Sequence, residues 1–205
     1  MNIGGSSASK LRGTALLLSY LTVGYNVLEG VVSIIAGLLA GSIALIGFGL
    51  DSFVESLSGS VMIWRFGKHG DLSKAEEQQV ERKATRLVAY TFFILGAYVL
   101  YGSAKKLYFQ EISSPSLFGI IIAIVSVILM PILFYWKYRT GKLLNSRSLI
   151  ADSKETLACF FLSIALLVGL SLNYVFGLWQ ADPIIGLVIV AFLIREGYEM
   201  LSGEE

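Results

Sequence analysis

The sequence predicts an all-α membrane protein with six transmembrane helices, on three observations. First, 55% of the 205 residues are hydrophobic and 15% charged, where soluble domains carry roughly 45–50% and about 25%. Second, the apolar excess falls in blocks, approximately 14–40, 42–64, 87–104, 117–136, 149–178 and 181–201, and a bilayer-spanning helix needs about 20 mostly apolar residues. Third, the runs are too long and too uniformly apolar for barrel strands, which leaves helices to satisfy backbone groups in hydrocarbon. The chain reads as a single transmembrane domain over residues 1–205, with one long charged loop at 65–86. This composition excludes a secreted enzyme, a nucleic-acid binder and a soluble two-domain protein, and it leaves no room for a soluble catalytic domain.

The first span follows Lys10 and Arg12 and runs to about residue 40 with no small-residue cleavage site, so it reads as an uncleaved span rather than a signal peptide. Gly41-Ser42 makes a tight turn into the second span, and Gly37 and Gly41 have the spacing of close helix packing. The 65–86 segment is expected to continue as helix into the third span. Pro131 in the fourth predicts a kink or a hinge. The start of the fifth span stays open: from Ser148 it takes in Asp152 and Glu155, whereas from Thr156 it leaves Asp152 at the cytoplasmic interface. The sixth is uninterrupted only over Ile184–Ile194 and needs shelter from its neighbours. Asp182 before Pro183 reads as a helix start, with Asp capping and Pro in the first turn. The single cysteine, Cys159, excludes an internal disulfide and a cysteine-based metal site, and it reads as a packing residue.

Basic residues set the orientation, because cytoplasmic loops retain Lys and Arg. Lys10, Arg12, the basic residues of 65–86, and Lys137, Arg139, Lys142 and Arg147 of a 137–147 loop all fall on one side; the other offers only Lys105 and Lys106. Both termini are therefore expected in the cytoplasm, with the plasma (inner) membrane as location.

A charge at mid-bilayer costs on the order of 2.5–3.5 kcal/mol by insertion scales, so acids inside spans carry the most information. These are Glu29, Asp51, Glu55, Asp152, Glu155 and Asp182, with Lys154 the one clear base among them; the surplus calls for protons or bound cations. Asp51 and Glu55, at i and i+4, share a helical face, and Asp51 lies about 14 Å into its span at 1.5 Å per residue. Two such carboxylates either form an oxygen site for a divalent cation or sit protonated and hydrogen-bonded between helices. Asp152 and Glu155 repeat the theme at i and i+3, with Thr156 beside them. Glu29 and Asn26 share a face of span one and can complete a coordination shell, although Asn26 equally suits an interhelical hydrogen bond. His69, the only histidine, is a weaker ligand candidate, since a loop histidine is ordinarily solvated. No phosphate-binding glycine loop, nucleophile elbow or zinc-protease signature occurs, which argues against an enzyme.

Three stretches resemble the cation diffusion facilitator family of six-helix, proton-coupled metal exporters. "NVLEGVVSIIAGLLAGSIALIGFGLDSFVESLSG" resembles its first two helices, with Asp51-x-x-x-Glu55 in the place of Asp-x-x-x-Asp. "FGKHG" resembles the Phe/Tyr-Gly-His-Gly segment that follows, and "LWQADPIIGLVIVAFLIREGYEML" the approach to and body of the sixth helix. The likeness covers approximately residues 14–201. Two departures stand out. The fifth helix of the family carries His, Asp or Asn and, four residues on, Asp; here Asp152 takes the first place and Thr156 the second, with Glu155 standing in for the missing carboxylate. The sequence also stops just after the sixth span, where the family usually continues into a cytoplasmic domain.

The resemblance implies that Asp152 faces Asp51 within the membrane. It also implies a transported divalent cation bound by Asp51, Glu55, Asp152 and Glu155, zinc first, then manganese or ferrous iron. Protons are the counter-substrate, a homodimer the assembly, and a cation diffusion facilitator-like bundle the fold. A secondary transporter of an organic cation and a non-transporting membrane regulatory subunit are the alternatives.

Overall fold

The computed structural model describes residues 5–67 and 74–202. It contains six helices: α1 (Gly5–Ala40), α2 (Ile43–Gly67), α3 (Lys74–Phe109), α4 (Leu117–Leu144), α5 (Arg147–Phe176) and α6 (Ala181–Ser202). No strand occurs among the described residues. α1 over Lys10–Ala40, α3 over Arg86–Phe109, α4 and α5 are long and apolar enough to cross a bilayer. α2 and α6 carry charges along their lengths, Asp51 and Glu55 in α2 and Asp182, Arg195, Glu196 and Glu199 in α6.

α1 packs along α2, α4 along α5 and α3 along α6, while α2 also touches α3, α5 and α6. α2 is thus the most enclosed helix, and a polar residue on it is shielded from lipid on several sides. The core between helices is filled by Leu45, Phe48, Met130, Leu166, Ile189 and Leu193. The outer surface carries large apolar side chains such as Leu28, Leu39, Ile94, Phe118 and Val175, each more than half exposed; such a surface requires hydrocarbon rather than water around it.

Small residues set the closest approach. A Cβ added at Gly30 would lie 2.9 Å from the Gly49 carbonyl oxygen, and one at Gly49 would lie 2.9 Å from that of Gly30. Gly37 likewise abuts the α2 backbone at Ile46. Gly41 has a different part: at φ +63° it turns the chain out of α1, a conformation open to glycine at little cost.

The region read as a 137–147 loop is different. α4 continues to Leu144, and only Asn145 and Ser146 separate it from α5. Asn145 ends α4 in the left-handed conformation, and Ser146 Oγ accepts the Leu149 N–H to start α5. Lys137 is therefore a helical residue. It lies on the face of α4 that holds Gly119, Ala123, Ser126 and Met130, and it is fully buried.

Candidate functional site

α5 begins at Arg147, so Asp152 and Glu155 lie within the helix, in its second and third turns. Asp152 is 1% exposed, Glu55 4% and Asp51 7%. Asp51, Glu55 and Glu155 line one small cavity of about 20 Å³, together with Glu196 of α6, Cys159 and an apolar wall that includes Phe92 and Phe192. A cavity of that size has room for one or two water-sized occupants. Four carboxylates from α2, α5 and α6 thus face a shared space whose remaining walls are apolar side chains and Cys159. Among the described residues, no three His, Cys, Asp or Glu side chains stand close enough to hold one ion together.

Asp152 faces away from that cavity into a polar chain. Its Oδ2 is 2.9 Å from the Lys137 ammonium, while neither carboxylate oxygen takes an aligned hydrogen bond. Lys137 Nζ also donates to Thr156 Oγ1 at 2.9 Å. The Thr156 hydroxyl contacts Glu55 Oε1 at 2.9 Å and the Asp152 backbone carbonyl at 3.1 Å. Thr156 therefore links Asp152 and Lys137 to Glu55, the cavity residue. Glu55 Oε2 is buried without a hydrogen-bond partner.

Glu29 belongs to a separate pair of contacts. Tyr25 OH donates to its Oε1 and Ser52 Oγ to its Oε2, both at 2.9 Å; it does not line the cavity. Asn26 is fully buried, and neither its amide nitrogen nor its oxygen has a partner. His69 lies outside the described residues.

Three single residues differ from their sequence expectation. Lys154, the base that the sequence places inside the fifth span, is exposed; the base that meets Asp152 is Lys137. Asp182 is in the first turn of α6, as its Asp-Pro pattern suggested, but its carboxylate caps α2. It accepts the Ile43 and Ala44 N–H groups at 3.1 and 3.3 Å, and the Ser42 hydroxyl. Lys106, read as an outer-loop charge, is 7% exposed and pairs with Asp182 Oδ2 at 2.8 Å, also donating to Ser113 and to the Gly41 carbonyl.

Lys137 and Glu196 were the residues missed. Lys137 had a signal: Gly119, Ala123, Ser126 and Met130 recur every three or four residues, and one more heptad reaches position 137. Glu196 carries no such signal, because it follows the uninterrupted apolar stretch Ile184–Ile194 and stands beside Arg195.

An apolar-surfaced helical bundle with a carboxylate-lined interior defines a class, the polytopic integral membrane proteins that handle charged species inside the bilayer. The family model for the cation efflux transmembrane domain matches residues 19–203, and the chain belongs to this family, the cation diffusion facilitators. It is 22% identical over 195 residues to Transmembrane protein 163 of Xenopus laevis, covering 95% of this chain and 68% of the relative. It is 24% identical over 184 residues to an uncharacterized transporter of Methanocaldococcus jannaschii, covering 88% and 65%. To the magnetosome protein MamB of a Magnetospira species it is 24% identical over 187 residues, covering 88% and 61%. The chain thus spans roughly two thirds of the length of these relatives. Cation transport across a membrane is the activity of the family, and the chain is an integral membrane protein.

Proposed function

We propose that this chain carries out proton-coupled efflux of divalent transition-metal cations by alternating access. The observation that carries the reading is the cavity lined by Asp51, Glu55, Glu155 and Glu196. Acids gathered in an apolar interior are stabilised by a cation or by protons, and a transporter uses both in turn. Asp51 and Glu55 are the core ligands, with Asp152 and Glu155 as further carboxylates and Thr156 as a neutral oxygen. Glu29 and Asn26 are auxiliary polar groups near the same helices. Binding draws α2 and α5 closer, since ligation needs three or more oxygens on one ion. Protonation of the carboxylates on the far side releases the metal, because the ligands bind deprotonated.

Zinc stands first on the family resemblance. Manganese and ferrous iron come next, because an oxygen-only donor set is harder than the usual zinc shell. The six helices all span the bilayer, both termini face the cytoplasm of the plasma (inner) membrane, and the working unit is a homodimer.

In vesicles reconstituted with the purified chain, a zinc or manganese gradient should drive counter-flow of protons, and Asp51→Ala or Asp152→Ala should abolish it. Normal flux in both variants would overturn the site. A parallel panel of quaternary amines tests the organic-cation alternative, which predicts amine-driven rather than metal-driven flux.

A further inference from the structure

We infer that Lys137 is an internal cation that competes with the transported metal for Asp152 and Glu55, and so sets the charge an ion must bring in order to bind. The inference rests on the cation site proposed above and adds to it a residue that selects the ion.

Lys137 is fully buried, its ammonium 2.9 Å from Asp152 Oδ2 and 2.9 Å from Thr156 Oγ1. The Thr156 hydroxyl lies 2.9 Å from Glu55 Oε1, and Glu55 Oε2 belongs to a residue lining the carboxylate cavity and has no hydrogen-bond partner. A single tethered positive charge therefore sits one hydroxyl away from the acids of the cavity. Asp152 balances it through charge alone, without an aligned hydrogen bond, so no directional bond fixes the pair.

The consequence is electrostatic. A buried ammonium left without a counter-charge is strongly destabilised, so Lys137 and a metal ion cannot both hold Asp152 at full strength. A monovalent ion offers the carboxylates no more charge than the ammonium already present. A divalent ion offers twice as much, enough for the flexible lysine stem to yield Asp152 and swing away. Lys137 thereby lowers affinity for all cations and discriminates against monovalent ones. Asp152 becomes a ligand only when the lysine leaves it.

The test uses the full chain in lipid nanodiscs with Mn2+ alone as the probe, free Mn2+ being read from its electron paramagnetic resonance signal. Lys137→Met should bind Mn2+ at least about ten-fold tighter than the unmodified chain, and Lys137→Arg, which keeps the charge, should stay within about three-fold of it. The double variant Lys137→Met/Asp152→Asn removes competitor and ligand together and should also stay within about three-fold. It keeps the experiment decisive if a lone Asp152 prevents the single variant from folding. A Lys137→Met chain that folds and binds no tighter overturns the inference, as does a double variant weakened about ten-fold or more, the result expected of a permanent ligand beside a bystander lysine. An unmodified chain that binds no Mn2+, and is unaffected by Asp51→Asn, would instead sink the underlying cation site.

Discussion

Asn26 and Glu29 sit one helical turn apart on α1, both fully buried, and they differ in how their polar atoms are met. Both Glu29 oxygens receive hydroxyl hydrogen bonds, whereas both Asn26 polar atoms are without partners. An unpaired buried polar group costs about 1–3 kcal/mol, so Asn26→Leu should raise the thermal midpoint by a few degrees. Metal-driven flux should persist in this variant, because Asn26 is an auxiliary group that does not line the cavity; loss of flux would make it a working ligand. Spacing on a helical wheel put Asn26 and Glu29 on one face and was right about that. It could not say that the hydroxyls of Tyr25 and Ser52 would engage one and leave the other, since Ser52 comes from a different helix.

At the scale of elements, the start of α2 is where several helices are tied together. Asp182 of α6 caps α2, pairs with Lys106 of α3 and accepts from Ser113 in the α3–α4 connection at 2.8 Å. A carboxylate at a helix N-terminus satisfies free N–H groups and complements the helix dipole, and here it also balances a buried ammonium. Asp182→Ala removes all three roles and should destabilise the protein by about 3–5 kcal/mol, the usual cost of orphaning one partner of a buried pair. Thermal unfolding in detergent would read this, and Asp182→Ala/Lys106→Met should recover part of the loss. The α1–α2 contact at Gly30 and Gly49 makes a similar prediction. Gly49→Leu forces the helices apart and should cost about 1–3 kcal/mol, whereas a leucine at Gly24, where an added Cβ meets nothing, should be tolerated.

For the whole molecule, the apolar outer faces and the basic ends make a topology prediction. Peptide tags at the N- and C-termini should both be protected from a protease added outside intact cells and be cleaved in inverted vesicles. Tags found on opposite sides would remove the even number of spans. Cross-linking in native membranes should trap a species of twice the chain mass if the unit is a homodimer, and only the single-chain mass if it is not.

The all-helical class and the membrane environment follow from hydrophobic content and block length. Those are additive, local quantities that a linear sequence carries in full. The pairing of Asp51 with Glu55 was equally legible, because i and i+4 share a face in any helix. What needed the tertiary structure was the partner of each charge. Lys137 and Lys106 looked like loop cations by position, yet one meets Asp152 across the α4–α5 pair and the other meets Asp182 some 76 residues away. Glu196 joins the cavity because α6 packs beside α2 and α5. The physical reason is the low dielectric of the interior. A buried charge is tolerable only beside its counter-charge, and which groups become neighbours is decided by helix packing rather than by sequence distance.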